Sequence, residues 1–211
     1  MRQTPQRTIR RIGIMGGTFD PPHLGHLSLA KEAQREFELS EVWFMPAGDP
    51  YFKKDKTVSR GALRYRMTEL LIEDSPGFSV SDLELRRTGN TYTSETMELL
   101  HKRYPEDQFF FIIGADTLLQ LPDWHEPEVL FRNTVLLCAG RPGVSEQELS
   151  ERIRELRERY RESGADIRRI HAKELAISAT MIRRRIQAGE SCSGLLPEAV
   201  DAYIREHRLY L

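Results

Sequence analysis

Two histidines three residues apart, His23 and His26, stand just after a pair of glycines in Met15-Gly16-Gly17-Thr18-Phe19-Asp20-Pro21-Pro22-His23-Leu24-Gly25-His26. At the start of a helix that spacing puts both imidazoles on one face. Glycines let backbone approach a ligand closely and offer bare N–H groups to phosphate oxygens. Beside such a turn, two histidines read as donors aimed at phosphate, able as cations or as N–H donors to stabilise charge growing on a phosphoryl group. A zinc pair is an alternative, but it has no third ligand nearby. Structural histidines satisfied by backbone are another. The stretch is neither a dinucleotide fingerprint nor a P-loop, because G-x-G-x-x-G is absent and no Gly-Lys-Ser/Thr follows. Pro21-Pro22 fixes the helix start, and Gly25 leaves room over the first turn for a flat group such as a purine or ribose.

Three more stretches carry groups suited to a nucleotide. In Ile113-Gly114-Ala115-Asp116-Thr117, Gly114 permits close backbone approach and Asp116 can accept from ribose hydroxyls, or it can cap a short helix over residues 117–121. In Ile177-Ser178-Ala179-Thr180-Met181-Ile182-Arg183, an N-cap serine, a first-turn threonine and an arginine one turn on form a polyphosphate cradle. In Thr91-Tyr92-Thr93-Ser94-Glu95-Thr96, Thr93 reads as a helix cap, and the bare N–H groups of that helix start suit a carboxylate. Trp124, between Pro122-Asp123 and His125-Glu126-Pro127, reads as an exposed ring that anchors a loop or meets a ligand.

The elements that must position these groups alternate between short strands and helical stripes. Strands are expected at 11–15, 41–45, 78–85, 108–113, 134–139 and 166–170, the third of them an edge strand interrupted by Ser and Asp. Phe109-Phe110-Phe111-Ile112-Ile113 and Val135-Leu136-Leu137-Cys138-Ala139 are continuous apolar runs, as parallel strands covered on both faces require. Helical stripes fall at 26–37, 60–74 (with Ser59 as cap), 94–104 and 145–163. The pattern predicts an α/β fold, a Rossmann-like doubly wound parallel sheet, whose ligand site lies at the carboxyl ends of the strands. The helix over 145–163 carries a Ser145/Glu148 capping box, a Val144/Leu149 staple and a Gly164 stop. Its arginines pair with glutamates at helical spacing, which makes it a solvated surface helix rather than an RNA-binding face.

At 211 residues the chain is read as one domain, 1–211, with a short basic extension over 1–10 and a helical part over about 175–211. Its 31 Lys+Arg against 32 Asp+Glu give a charge of −1, which supplies no global field for nucleic acid or an anionic membrane. The longest apolar runs fall far short of the roughly 18–20 residues of a membrane helix, and the one behind the basic start is too short for a signal peptide. The two cysteines, Cys138 and Cys192, have no C-x-x-C partner, so a cytoplasmic protein is expected.

The stretch Gly16-Gly17-Thr18-Phe19-Asp20-Pro21-x-His23-x-Gly25-His26 resembles the G-G-T-F-D-P-x-H-x-G-H motif of the HxGH nucleotidyltransferases. Within that superfamily the chain resembles the bacterial nicotinate-nucleotide adenylyltransferases, from its first strand to the closing segment. The resemblance implies that Gly16, Gly17, Thr18 and Phe19, with Gly114 and Asp116, meet ATP. Ser178, Thr180 and Arg183 match a segment that grips its phosphates. Tyr92, Thr93, Trp124 and His125 would hold a nicotinate ring, Thr93 and His125 through backbone N–H groups to its carboxylate and Trp124 by stacking. One departure is visible. Where the family shows P-P-H-K, this chain reads Pro50-Tyr51-Phe52-Lys53, so Phe52 replaces a phosphate-contacting histidine and Lys53 keeps the lysine position.

The implied reaction is adenylyl transfer, in which the phosphate of nicotinate mononucleotide attacks the α-phosphorus of ATP and releases pyrophosphate. That phosphate is mostly dianionic at pH 7, its second pKa being about 6, so no general base is needed. His23, His26, Lys53 and Arg183 would neutralise shared charge, and Mg²⁺ would ride on substrate oxygens and water. Nicotinamide mononucleotide as substrate, and a sensor that binds without turnover, are the competing readings. The sequence leaves a homo-oligomer open.

Overall fold

The computed structural model describes residues 9–48, 58–141, 143–172 and 175–211; Phe52, Lys53 and most of the basic extension lie outside them. Among the described residues the strands are β1 (Arg11–Gly17), β2 (Glu41–Pro46), β3 (Phe78–Val80), β4 (Gln108–Gly114), β5 (Val135–Ala139) and β6 (Ile167–Ile170). The helices are α1 (Leu24–Glu36), α2 (Gly61–Ile72), α3 (Thr93–Arg103), α4 (Ala115–Gln120), α5 (Pro127–Asn133), α6 (Glu146–Arg159), α7 (Ala179–Gln187) and α8 (Glu198–Glu206). The strands form one sheet in the order β3-β2-β1-β4-β5-β6, every pair parallel. The chain winds one way from β1 to β3 and the other way from β4 to β6. The order therefore reverses between β1 and β4, where the carboxyl ends splay into a crevice.

Strand alternation sends successive side chains to opposite layers. Phe110 and Ile112 join α1, α2, α7 and α8 residues in one apolar cluster, which includes Ala30, Met67, Ile182 and Val200. Phe109, Phe111 and Ile113 join the other, with Met97 of α3, Leu118 of α4, Leu130 of α5 and Ile153 of α6. Both faces of the central strands are thus dry, which is why β4 and β5 are apolar without interruption.

Several local expectations need correction. The third strand ends at Val80, not at 85, because Ser81 Oγ accepts from the Leu83 N–H at 3.3 Å and turns the chain off the sheet edge. The cap of α2 is Arg60 rather than Ser59. Both main-chain groups of Ser59 are committed elsewhere, its N–H to Asp20 Oδ2 at 3.2 Å and its carbonyl to Arg64 Nε at 2.9 Å. The cap of α3 is Tyr92, which makes Thr93 its first helical residue. The cap of α4 is Gly114, and Asp116 sits within the first turn. The stripe over 145–163 closes α6 at Arg159 and continues as a separate 3-10 turn, Arg161–Ser163, before Gly164 at φ 73°. Its capping box is formed, with Glu148 N–H on Ser145 Oγ at 3.1 Å and Ser145 N–H on Glu148 Oε2 at 2.8 Å.

Candidate active site

A cavity of about 620 Å³ opens at the β1/β4 reversal. Gly16 and Gly17 line it, and a Cβ on Gly16 would stand 3.0 Å from Phe111 Cζ, so only glycine lets β1 end flush against β4. The next residue but one, Phe19, takes the left-handed conformation (φ 52°) and is 2% exposed. Its ring is wedged against Phe44 and meets the His26 ring edge-on at 5.0 Å. A ligand at this turn therefore meets the Phe19 main chain while the ring supports His26 from below.

The imidazoles of His23 and His26 stack with centroids 3.7 Å apart and planes 23° from parallel. His23 occupies the N-cap of α1, and its N–H donates to His26 Nδ1 at 3.2 Å. His23 is 6% exposed, and burial pushes its pKa down to about 4, with Arg141 adding repulsion. At pH 7 it is therefore a neutral imidazole, which narrows the sequence reading to N–H donation before substrate arrives. Gly25 has a sharper role than open space for a nucleotide. A Cβ there would lie 3.0 Å from His23 Nδ1 and 3.1 Å from Cε1. Gly25→Ala is expected to lower kcat roughly tenfold by displacing that ring. Its thermal midpoint should change by only a few degrees, because the helix propensity alanine gains is offset by crowding of the buried His23 ring. Steady-state kinetics and a thermal melt on the same preparation check both.

The other flank is built by α7. Ser178 caps it, accepting from Met181 N–H at 3.2 Å. Arg183 donates from Nη2 to Thr180 Oγ1 at 3.2 Å and from Nη1 to the Asp20 carbonyl at 2.7 Å. The arginine thus bridges α7 to the glycine turn. Gly114 and Asp116 lie across the cavity, and Asp116 is ion-paired with Arg141 beyond β5. Sequence reasoning did not find Arg141, which sits in an exposed loop with no motif around it.

At the far end are Tyr92, Thr93, Trp124 and His125. The Tyr92 and His125 rings lie 4.1 Å apart, and Trp124 meets Phe111 edge-on at 6.3 Å. Trp124 is half-buried against the core, so the expectation of an exposed ring is corrected: one edge packs inward while the rest lines the cavity. Thr93 belongs to the first turn of α3, whose N–H groups have no partner within the helix. Beneath it the carboxyl of Glu84 accepts from Thr96 Oγ1 at 2.8 Å, and burial raises its pKa. Glu84 lines the cavity too, and no sequence signal separated it from its charged neighbours.

The turn itself is held from outside the cavity by residues the motif does not announce. Arg64 of α2 is 2% exposed and donates to the carbonyls of Thr18 (2.8 Å), Ser59 (2.9 Å) and Gly48 (3.1 Å). Tyr210 donates to Asp20 Oδ1 at 2.5 Å. The signal for Arg64 was present but faint, a lone arginine inside the apolar stripe of Leu63, Met67 and Leu71.

Every sequence-derived site residue within the described residues lines this one cavity; Lys53 falls outside them. Among the described residues no three His, Cys, Asp or Glu side chains gather to hold a metal ion, and no helix is long and apolar enough to cross a membrane.

A parallel sheet with a glycine turn and paired histidines at its reversal defines a nucleotidyltransferase. The Cytidylyltransferase-like family matches residues 14–185, and the chain belongs to it. A probable nicotinate-nucleotide adenylyltransferase of Lachnoclostridium phytofermentans is 40% identical over 203 residues, covering 96% of this chain and 100% of the relative. A protein of the same name from Oceanobacillus iheyensis is 41% identical over 202 residues, covering 96% of this chain and 97% of its own. Within its family the chain is therefore a member of the nicotinate-nucleotide adenylyltransferases, enzymes of NAD biosynthesis. The fold is also that of Plasmodium falciparum nicotinic acid mononucleotide adenylyltransferase complexed with NaAD, with TM-score 0.76 at 18% identity over 95% of this chain and 97% of that one.

Proposed function

We propose that the cavity binds ATP across Gly16-Gly17, Gly114 and Asp116 and nicotinate mononucleotide toward Thr93 and Trp124, and joins the two by adenylyl transfer. The single observation that carries this reading is the layout of the cavity. Stacked imidazoles, a guanidinium and helix N-termini converge at one end, and an aromatic pair with a helix start lies at the other. The mononucleotide phosphate would form a bond to the α-phosphorus of ATP as the bond from that phosphorus to the α,β-bridging oxygen breaks. Pyrophosphate leaves with that electron pair.

The protein's part is to hold two anions in line and offset their repulsion. His23 and His26 would donate to phosphate oxygens, and anion approach would raise their basicity as charge develops. Arg183, Ser178 and Thr180 would take the departing phosphates, joined by Lys53. Asp116 would accept from the adenosine ribose by exchanging its pairing with Arg141. Mg²⁺ bound with ATP would supply charge neutralisation there, its preference for phosphate oxygens and water suiting a cavity whose described residues gather no metal-binding cluster.

Nicotinate is preferred over nicotinamide because the N–H groups at the start of α3 meet a carboxylate, whereas an amide NH₂ would leave donors facing donors. A pyrophosphate-release assay with ATP and each mononucleotide tests the proposal. The expected result is turnover with both ATP and nicotinate mononucleotide present, and a kcat/KM at least about 10²-fold lower for the amide. No pyrophosphate release with either mononucleotide would overturn the assignment.

A further inference from the structure

Tyr210 lies beyond α8, a long way in sequence from the glycine turn, yet its hydroxyl reaches Asp20 Oδ1 at 2.5 Å. The backbone there is bent to make this possible, with Arg208 at φ 50° and Tyr210 at φ 66°, conformations that side-chain-bearing residues rarely adopt. Leu209 and the Tyr210 ring pack on the same apolar layer as α2 and α8. Asp20 is 5% exposed and lines the cavity. Its other carboxylate oxygen takes the Ser59 N–H, and its main-chain carbonyl takes Arg183 Nη1 at 2.7 Å. One residue therefore ties together the segment before α2, the chain beyond α8, and the guanidinium of α7.

We propose that Tyr210 is a positioning residue for the transfer reaction, its hydroxyl fixing Asp20 and thereby the turn that carries His23 and the carbonyl that aims Arg183. The proposal rests on the adenylyl-transfer reading for its consequence but not for its geometry. Burial and the neighbouring Asp20 hold the phenol well above its ordinary pKa, so it remains a donor throughout the range in which the protein would be assayed. Without that donor, Asp20 Oδ1 would sit buried with one partner fewer and would rotate toward other donors. A shift of about 1 Å at Asp20 passes directly to Arg183, and a misplacement of that size costs one to two orders of magnitude in rate.

The test is Tyr210→Phe, which keeps the ring and its packing and removes only the oxygen. Tyr203→Phe on α8 serves as the control, since that ring stacks on His207 away from the turn. Steady-state kinetics with ATP and nicotinate mononucleotide should show kcat about tenfold lower for Y210F, with both KM values within about twofold of wild type. The imidazole NMR signals of His23 and His26 in the substrate-free protein should move, while that of His101 on α3 and the activity of Y203F should not. A hydroxyl with a merely structural role would lower the melting temperature and leave kcat and these signals in place. If kcat stays within twofold, or if the His23 and His26 signals are unmoved, the proposal is overturned. If wild type releases no pyrophosphate with either mononucleotide yet those signals move in Y210F, the coupling stands and the reaction assignment falls.

Discussion

His23→Ala is expected to lower kcat by at least about 10²-fold, the loss usual when one preorganised donor to a developing anion is removed. The geometry supports so large a figure. The ring is held between burial at 6% exposure and a stack on His26 at 3.7 Å, so its position costs nothing at the moment of reaction. Its side chain also takes part in the capping box at the start of α1, so His23→Asn, which keeps a cap acceptor while removing the imidazole, controls for fraying of the helix. Initial-rate kinetics on the purified variant decide, and an unchanged kcat would show that the imidazole is structural.

The same variant should change the pH dependence of stability. The native imidazole titrates at about 4, against 6.5 for an unperturbed one, because burial penalises its charged form. Between those values the unfolded chain binds a proton that the native state refuses. Stability is therefore present above pH 6.5 and lost as pH falls toward 4, by up to about 3 kcal/mol. Thermal melts from pH 7 to pH 4 should fall less steeply for His23→Ala than for wild type.

The second large effect is expected at Arg64. Its guanidinium is buried and serves the carbonyls of Thr18, Ser59 and Gly48, and burial lowers its pKa from the usual arginine value without discharging it. Arg64→Ala leaves those acceptors without their donor and removes a positive charge that interacts with Asp20. Breaking such a buried charged network costs about 3–5 kcal/mol. For a chain of this size that corresponds to a melting temperature lower by roughly 10 °C. Arg64→Lys should recover only part, since one ammonium cannot reproduce a planar fork with several fixed N–H directions. Urea denaturation with both variants measures this, and a loss below about 1 kcal/mol for alanine would mean that the carbonyls find water instead.

Much of the site was legible because its parts are local. The Gly16-Gly17 turn, the His23/His26 spacing, the Ser178 cap with Thr180 and Arg183, and the order of apolar runs are all patterns within a dozen residues. Local sequence dictates backbone options at that range. The parallel sheet followed from the same logic, since uninterrupted runs such as those of β4 and β5 are stable only when both faces are covered.

Helix boundaries were less accurate because a capping residue is chosen by the competition for its main chain. Ser59 has the right side chain to cap α2, yet Asp20 and Arg64 claim its N–H and carbonyl, and the helix begins a residue later. Asp116 likewise carries a capping carboxylate, but Arg141 engages it and Gly114 takes the cap.

What the sequence by itself determined was the chemistry: which side chains could meet phosphate, in what order, and on what class of sheet. The tertiary structure alone decided their state and support. It made His23 neutral by burying it, put Arg141 opposite Asp116, and used Arg64 and Tyr210 to clamp a turn far away in the chain. Desolvation and long-range hydrogen bonds depend on which distant segments meet, and that is set by the packing of helices across the sheet rather than by any spacing along the chain.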